Sequence, residues 1–277
     1  MPSSIQLLVI DPQNDFCDLP PEYCPPGTHP SLAVTGAHAQ MQRLARWLRQ
    51  QGAHIDAITV TLDSHQRFDI GHPGFWIDAD GGEVLPFTNI TAAQVRAARY
   101  LPREAGSLPR VLGYLDALER LGRYTHMVWP VHCELGSWGH GIHADLLAAC
   151  GAWQLERQRA VRHVLKGMNP FTEHYSALKA EVEDAADPST ALDTALLEQL
   201  AQAELLVVAG EASSHCVRAS VEHLVEHLPA GHARRLVLLT DCMGPVAGFE
   251  SAEQAFFGDM LARGVQFATS GALKLAD

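Results

Sequence analysis

Apolar positions gather into short runs rich in β-branched residues: "IQLLVI" (5–10), "IDAITVTL" (55–62), "THMVWPV" (125–131), "AVRHVL" (160–165), "AELLVVAG" (203–210) and "RRLVLLT" (234–240). Each has the length of a buried strand. Between most of them the apolar spacing changes to that of helices. In "SLAVTGAHAQMQRLARWLRQQG" (31–52), Val34, Met41, Leu44 and Leu48 share one face and Gly52 offers a C-terminal cap. "YLDALERLG", "ALDTALLEQLAQ" and "ESAEQAFFGDMLARG" repeat the pattern. Strand and helix alternating about six times predict an α/β fold: a doubly wound, mostly parallel six-stranded sheet with helices on both faces. Ligands bind such sheets beyond the carboxyl ends of the strands.

The alternation breaks from Trp76 to about Pro109. There "TAAQVRAARY" predicts a short helix opened by a Thr91/Gln94 capping box, and Pro86, Pro102 and Pro109 interrupt the rest. The expected organisation is a single domain over 1–277 with an insertion at about 76–109, an excursion whose length points to a lid rather than an idle loop.

Composition narrows the function. The 277 residues are 47% hydrophobic, enough for a sizeable core, and the formal charge of −12 is spread along the chain. A phosphate-backbone partner is disfavoured, so no nucleic acid is expected. The N-terminal apolar run has no basic segment before it and is too short to span a bilayer, which predicts no membrane association and a cytoplasmic protein. Cys17, Cys24, Cys133, Cys150, Cys216 and Cys242 include no CxxC pair, so free thiols are expected, and a thiol redox role is weakened.

Chemistry collects where the strands end. Asp11 follows the first run, and Asp63 and His65 the second, with His72 a little further on. His132 and Cys133 follow the third, Lys166 the fourth, and the fifth leads through "GEASSH" to Cys216. Each has an ordinary explanation alone: a turn-forming aspartate, a satisfied polar histidine, a solvated lysine, a small buried cysteine. Their coincidence at one sheet edge is the signal. A thiol in the first turn of a helix meets unpaired N–H groups and the positive end of the macrodipole, which predicts a lowered pKa and a thiolate nucleophile. The same N–H groups, with one from the "GEAS" turn, can hold an oxyanion. Asp11 can take the thiol proton and return it to a departing amine, while the Lys166 ammonium holds both charges. Asp63, His65 and His132 form a second set, one carboxylate and two imidazoles, suited to a divalent ion; His72 is a candidate fourth ligand. Zinc is the expected ion, with iron or manganese as alternatives, and no organic cofactor is expected. Phe16, Trp138 and Tyr175 are candidates for an apolar substrate slot. Core packing is the expected role of Trp129, and packing or support of a ligand that of Cys133.

In order along the chain, "VIDPQNDF", "TLDSH", "WPVHC" with "GSWG", "LKG" with "HYSAL", and "GEASSHCV" resemble the motifs of the nicotinamidase and isochorismatase-like cysteine hydrolases. The resemblance implies that Asp11, Lys166 and Cys216 are a catalytic triad working through a thioester with release of ammonia. It further implies a cis peptide at Glu211–Ala212 and an oxyanion hole of the Ala212 and Cys216 amides. Asp63, His65 and His132 match the metal ligands of the nicotinamidase branch, so the expected activity is hydrolysis of nicotinamide to nicotinate and ammonia. Departures from the usual pattern, "SSH" before Cys216 and Leu178 where Phe is usual, leave open another small amide, ureide or carbamoyl compound. A non-catalytic metal- or ligand-binding relative is the alternative of another class. The expected partner is a small-molecule amide, and since oligomers are frequent in that family, a homo-oligomer is expected.

Overall fold

A computed structural model describes residues 4–275. In chain order its first elements are β1 (Ile5–Ile10), α1 (Ala37–Gln51), β2 (Ala57–Asp63), β3 (Trp76–Asp78), β4 (Thr88–Ile90), α2 (Ala92–Arg96), β5 (Tyr100–Pro102) and α3 (Leu108–Leu121). There follow β6 (His126–Val128), α4 (Ala144–Arg157), β7 (Arg162–Lys166), α5 (Thr194–Ala201) and β8 (Leu205–Gly210). The chain closes with α6 (Cys216–His227), β9 (Leu236–Leu239), α7 (Glu250–Ala262) and β10 (Gln266–Ala268). The central sheet has six strands in the order β10-β9-β8-β1-β2-β7, and every pairing in it is parallel. No described helix is long and apolar enough to cross a membrane.

The strand count agrees with the sequence pattern, but the membership differs. "THMVWPV" does not join the central sheet: β6 pairs antiparallel with β4 in a separate two-stranded sheet. Its place is taken by β10, three residues pairing with β9 at the far edge. The reason lies in burial. Met127 and Trp129 pack into the main core, whereas Val128 packs into a second apolar cluster. A strand wedged between two cores is apolar on both faces, as a central parallel strand is, so its sequence cannot separate the two situations.

The second cluster is built by the excursion. Phe75, Trp76, Val84, Ile90 and Val95 pack with Val111, Leu115 and Leu118 of α3. The Thr91/Gln94 capping box forms as expected and opens α2. The segment is thus a packed unit with its own core, and through β4 it fixes β6 and the loop that follows.

Helices begin and end close to their sequence signals, with two differences. α1 starts at Ala37, so Val34 is fully buried ahead of the helix rather than on its face. α4 carries no strong signal of its own, since exposed Leu147 and Leu155 blur its apolar stripe.

Candidate active site

Four adjacent strands, β8, β1, β2 and β7, carry the reactive groups at their carboxyl ends. Gly210 ends β8 with φ 120° against Ile10 of β1, and a Cβ there would fall on the Ile10 backbone. Only glycine permits this close approach, which lets the turn before α6 settle over the end of β1. Cys216 is the first residue of α6, as expected. Asp11 follows β1 directly, with φ 42°. Asp63 and Lys166 end their strands as register partners.

Lys166 is the hub. Its stem reaches back across β2, a span of two strand spacings or about 10 Å, so that Nζ stands 2.8 Å from Asp11 Oδ2 and 3.6 Å from Cys216 Sγ. The same Nζ donates to Asp63 Oδ1 at 2.9 Å and to the His174 carbonyl at 3.1 Å. Asp11, Lys166 and Cys216 are all buried, so the structure brings the three expected residues together in one dry corner. Thr61 donates its hydroxyl to Asp11 Oδ1 at 2.5 Å and accepts the Asp11 N–H at 3.0 Å. Asp11 Oδ2 faces the Lys166 ammonium, so each carboxylate oxygen has a partner.

The electrostatics modify one expectation. Burial pushes the Cys216 thiol well above its ordinary value, opposed by the Lys166 ammonium, with the Asp11 and Asp63 charges adding to the rise. This direction is opposite to the lowering expected from the helix N-terminus, because desolvation is the largest influence on the group in this corner. Burial also raises Asp11, against the pull of Lys166. A more basic carboxylate beside the thiol is arranged for transfer during attack. Burial works against the charge on Lys166, but Asp11 and Asp63 hold its ammonium well above the usual lysine value.

The Glu211–Ala212 peptide is cis, matching the resemblance. Among the described residues, neither the Ala212 nor the Cys216 N–H donates to an acceptor, so both are available to a substrate oxygen.

Beside this corner stands a cluster of imidazoles. Potential ligand atoms of His65, His72 and His132 lie within 4.8 Å of one another, and all three residues are buried. His65 Nε2 is 3.0 Å and His132 Nε2 3.4 Å from Asp63 Oδ2. The far nitrogens are held: His65 Nδ1 by Asp69 at 2.9 Å and His132 Nδ1 by the Pro130 carbonyl at 2.8 Å. Such outer partners turn Nε2 inward, as metal sites require. His72 Nδ1 is buried without a partner. Three imidazoles and a carboxylate suit zinc, iron or manganese, so the residues fit a divalent ion, and His72 belongs to the cluster. Burial opposes ionisation of Asp63, but the charges of His65 and Lys166 outweigh it and hold the carboxyl well below its usual range.

The catalytic pocket is lined by Phe16 and Tyr175, as expected, and by Leu32, Trp129, Glu173, His215 and Val246. One expectation is corrected. Trp138 lines a separate surface cavity with Asp15, His132 and Gly139, because the Asn14 side chain anchors its carbonyl at 2.8 Å and the loop places its ring outside. Trp129 packs in the main core as expected and also forms pocket wall, an addition to the expectation, where it donates to the Tyr175 hydroxyl at 3.1 Å. Cys133 supports a ligand: its carbonyl accepts the His65 N–H at 3.0 Å, and Asp15 holds its own N–H at 2.7 Å.

Several supporting residues escaped the sequence reading. Gln13 clamps Asp63, accepting its N–H at 2.7 Å and donating to its carbonyl at 2.8 Å. Thr61 had a signal, a hydroxyl inside an otherwise apolar run; Asp69 and Glu173 had none beyond being acidic.

Neither a protein-family model nor a curated protein matches the sequence. Solved structures do match in fold. The chain is similar to a nicotinamidase/pyrazinamidase from Acinetobacter baumanii (TM-score 0.63, 19% identity, 98% of each chain covered). It is also similar to the yeast nicotinamidase (TM-score 0.61, 16% identity, 95% of this chain and 99% of that one). A third is the zinc complex of a pyrazinamidase from Pyrococcus horikoshii (TM-score 0.56, 18% identity, 96% and 99%). The chain therefore shares the α/β fold of these structures.

Proposed function

We propose that the protein is a metal-containing cysteine amidohydrolase of the nicotinamidase-like branch, converting a small aromatic carboxamide, nicotinamide foremost, to the acid and ammonia. The observation that carries this reading is the meeting of Asp11, Lys166 and Cys216 in one buried pocket, with Nζ 2.8 Å from the carboxylate and 3.6 Å from the sulfur. The similarity in fold to nicotinamidases and pyrazinamidases agrees with it.

The residues divide the work. As Cys216 Sγ attacks the carboxamide carbon, its proton passes to Asp11, and the Ala212 and Cys216 N–H groups donate to the developing oxyanion. Collapse expels the nitrogen, which takes the proton back from Asp11 and leaves as ammonia, with the acyl group on sulfur. Water, deprotonated by Asp11, then attacks the thioester; the acid departs and the thiol is restored. Lys166 keeps its charge throughout and balances Asp11 in a site closed to solvent. A divalent ion held by Asp63, His65 and His132, with His72, would supply a Lewis-acid anchor for a basic ring atom of the substrate.

Ammonia release from nicotinamide by wild type and Cys216→Ala tests the proposal. Release by wild type alone, with mass spectrometry showing an acyl adduct on Cys216, is the expected result; equal rates in both proteins would overturn it.

A further inference from the structure

The pocket at Cys216 is small, about 30 Å³, yet three of its walls, Trp129, Tyr175 and His215, also bound a second cavity of about 280 Å³. His215 stands in the "SSH" stretch that departs from the usual motif. Its ring lies edge-on to Trp129 and Phe249, at centroid distances of 5.2 and 4.7 Å, and stacks on Tyr124 at 5.9 Å. It is thus a polar member of the aromatic wall that the two spaces share.

The network around His215 orients its ring. Ser214 Oγ accepts the Val246 N–H at 3.0 Å and lies 2.9 Å from His215 Nδ1. The Ser214 hydroxyl therefore pairs with Nδ1 and orients the ring, while Nε2 makes no hydrogen bond among the described residues. Burial lowers the imidazole to about 4, with the Arg218 charge acting in the same direction, so the ring is neutral near pH 7.

The second cavity offers donors. Tyr124 lines it, with a hydroxyl that is itself buried and has no partner among the described residues. Arg123 and Arg218 also line it and share one carboxylate, Glu222, at 2.7 and 2.8 Å. Glu181 lies 4.0 Å from Arg123, but burial pushes its carboxyl up to about 7, so near neutrality it offsets only part of the second guanidinium. In a chain of formal charge −12, this cavity is a locally positive, donor-rich, aromatic-walled space.

We propose that, beside a simple ring amide, the site takes an extended one: its carboxamide reacts at Cys216 while its aromatic body crosses the shared wall at His215 and presents a carboxylate to Arg218 and Arg123. This rests on the amidohydrolase reading and names its substrate class. A lone pyridine ring would leave these donors unmet, whereas a carboxylate on a short arm meets them with charge-assisted bonds.

The test compares benzamide with 3-(4-carbamoylphenyl)propanoate. Wild type is expected to favour the carboxylate-bearing amide by about tenfold or more in kcat/KM, the size of one hydrogen bond to a charged group. Arg218→Gln and Arg123→Gln should each shrink that preference, through KM rather than kcat. Glu222→Gln, which releases both guanidinium groups, should enlarge it. Hydrolysis of benzamide with no preference for the extended compound overturns the proposal and leaves the amidohydrolase reading intact. If neither amide is hydrolysed, the nicotinamide assay above decides the amidohydrolase reading, and calorimetry on Cys216→Ala decides the cavity. Tighter binding of the carboxylate compound, weakened by Arg218→Gln, supports the cavity as its site; equal affinity for the two compounds overturns it.

Discussion

The two halves of the site stand on different foundations. Asp11 and Lys166 stand at the carboxyl ends of β1 and β7, with β2 between them, and Cys216 starts the helix that follows β8, so their spacing follows from the geometry of one parallel sheet. His65, His72 and His132 sit on loops, and the loop bearing His132 leaves a strand that belongs to a separate small sheet. Asp63 joins the halves, giving one oxygen to Lys166 and the other to His65 and His132. A group on a central strand moves only if the sheet does, while a loop ligand depends on whatever packs behind the loop. For the histidine half, that backing is the apolar cluster of the excursion and the carboxylate of Asp69.

Four substitutions would break or sharpen this contrast. The largest effect is expected of Cys216→Ala, which should cut turnover by at least about 10⁴-fold while leaving the thermal midpoint nearly unchanged; steady-state ammonia release and calorimetry read both. Lys166→Met should hit folding as well as chemistry. It leaves Asp11 and Asp63 buried without their counter-charge, at a cost of about 3–5 kcal/mol in urea unfolding. A variant as stable as wild type would show that the hub is not structural.

Next comes acid. Burial lowers His126, beside the second cluster, from the ordinary 6.5 to about 4, although its ring bonds the Ile70 carbonyl. A histidine depressed in the folded state stabilises above its unfolded pKa, and that stability is lost as pH falls from 6.5 toward 4, by up to about 3 kcal/mol. His126→Gln should flatten this limb in unfolding curves at pH 7 and 4.5; an unchanged acid limb would place the loss elsewhere. The smallest effect is assigned to Asp69→Asn, which should weaken metal affinity about 10- to 100-fold. Alkylation of Cys216 should proceed at the wild-type rate, because Asp69 supports only the histidine half. If both readouts move together, the halves are not independent.

Much of this was legible along the chain. Polar groups placed directly after apolar runs marked Asp11, Asp63, Lys166 and Cys216, and helix spacing with capping residues marked most helices. The glycine ending β8 allowed the turn, and the residues following it supplied the thiol at a helix start. These are local properties: strand period, cap chemistry and residue type act within a few positions.

What only the tertiary structure decided depends on neighbours distant in sequence. Whether "THMVWPV" lay inside the central sheet or between two cores turned on what packs against each face. Whether Trp129 or Trp138 walled the pocket turned on loop paths set by Asn14 and Gly71, whose carbonyl accepts the Trp129 N–H. The upward shift of the Cys216 thiol likewise followed from burial beside two carboxylates, a desolvation that a helix N-terminus read in isolation cannot reveal.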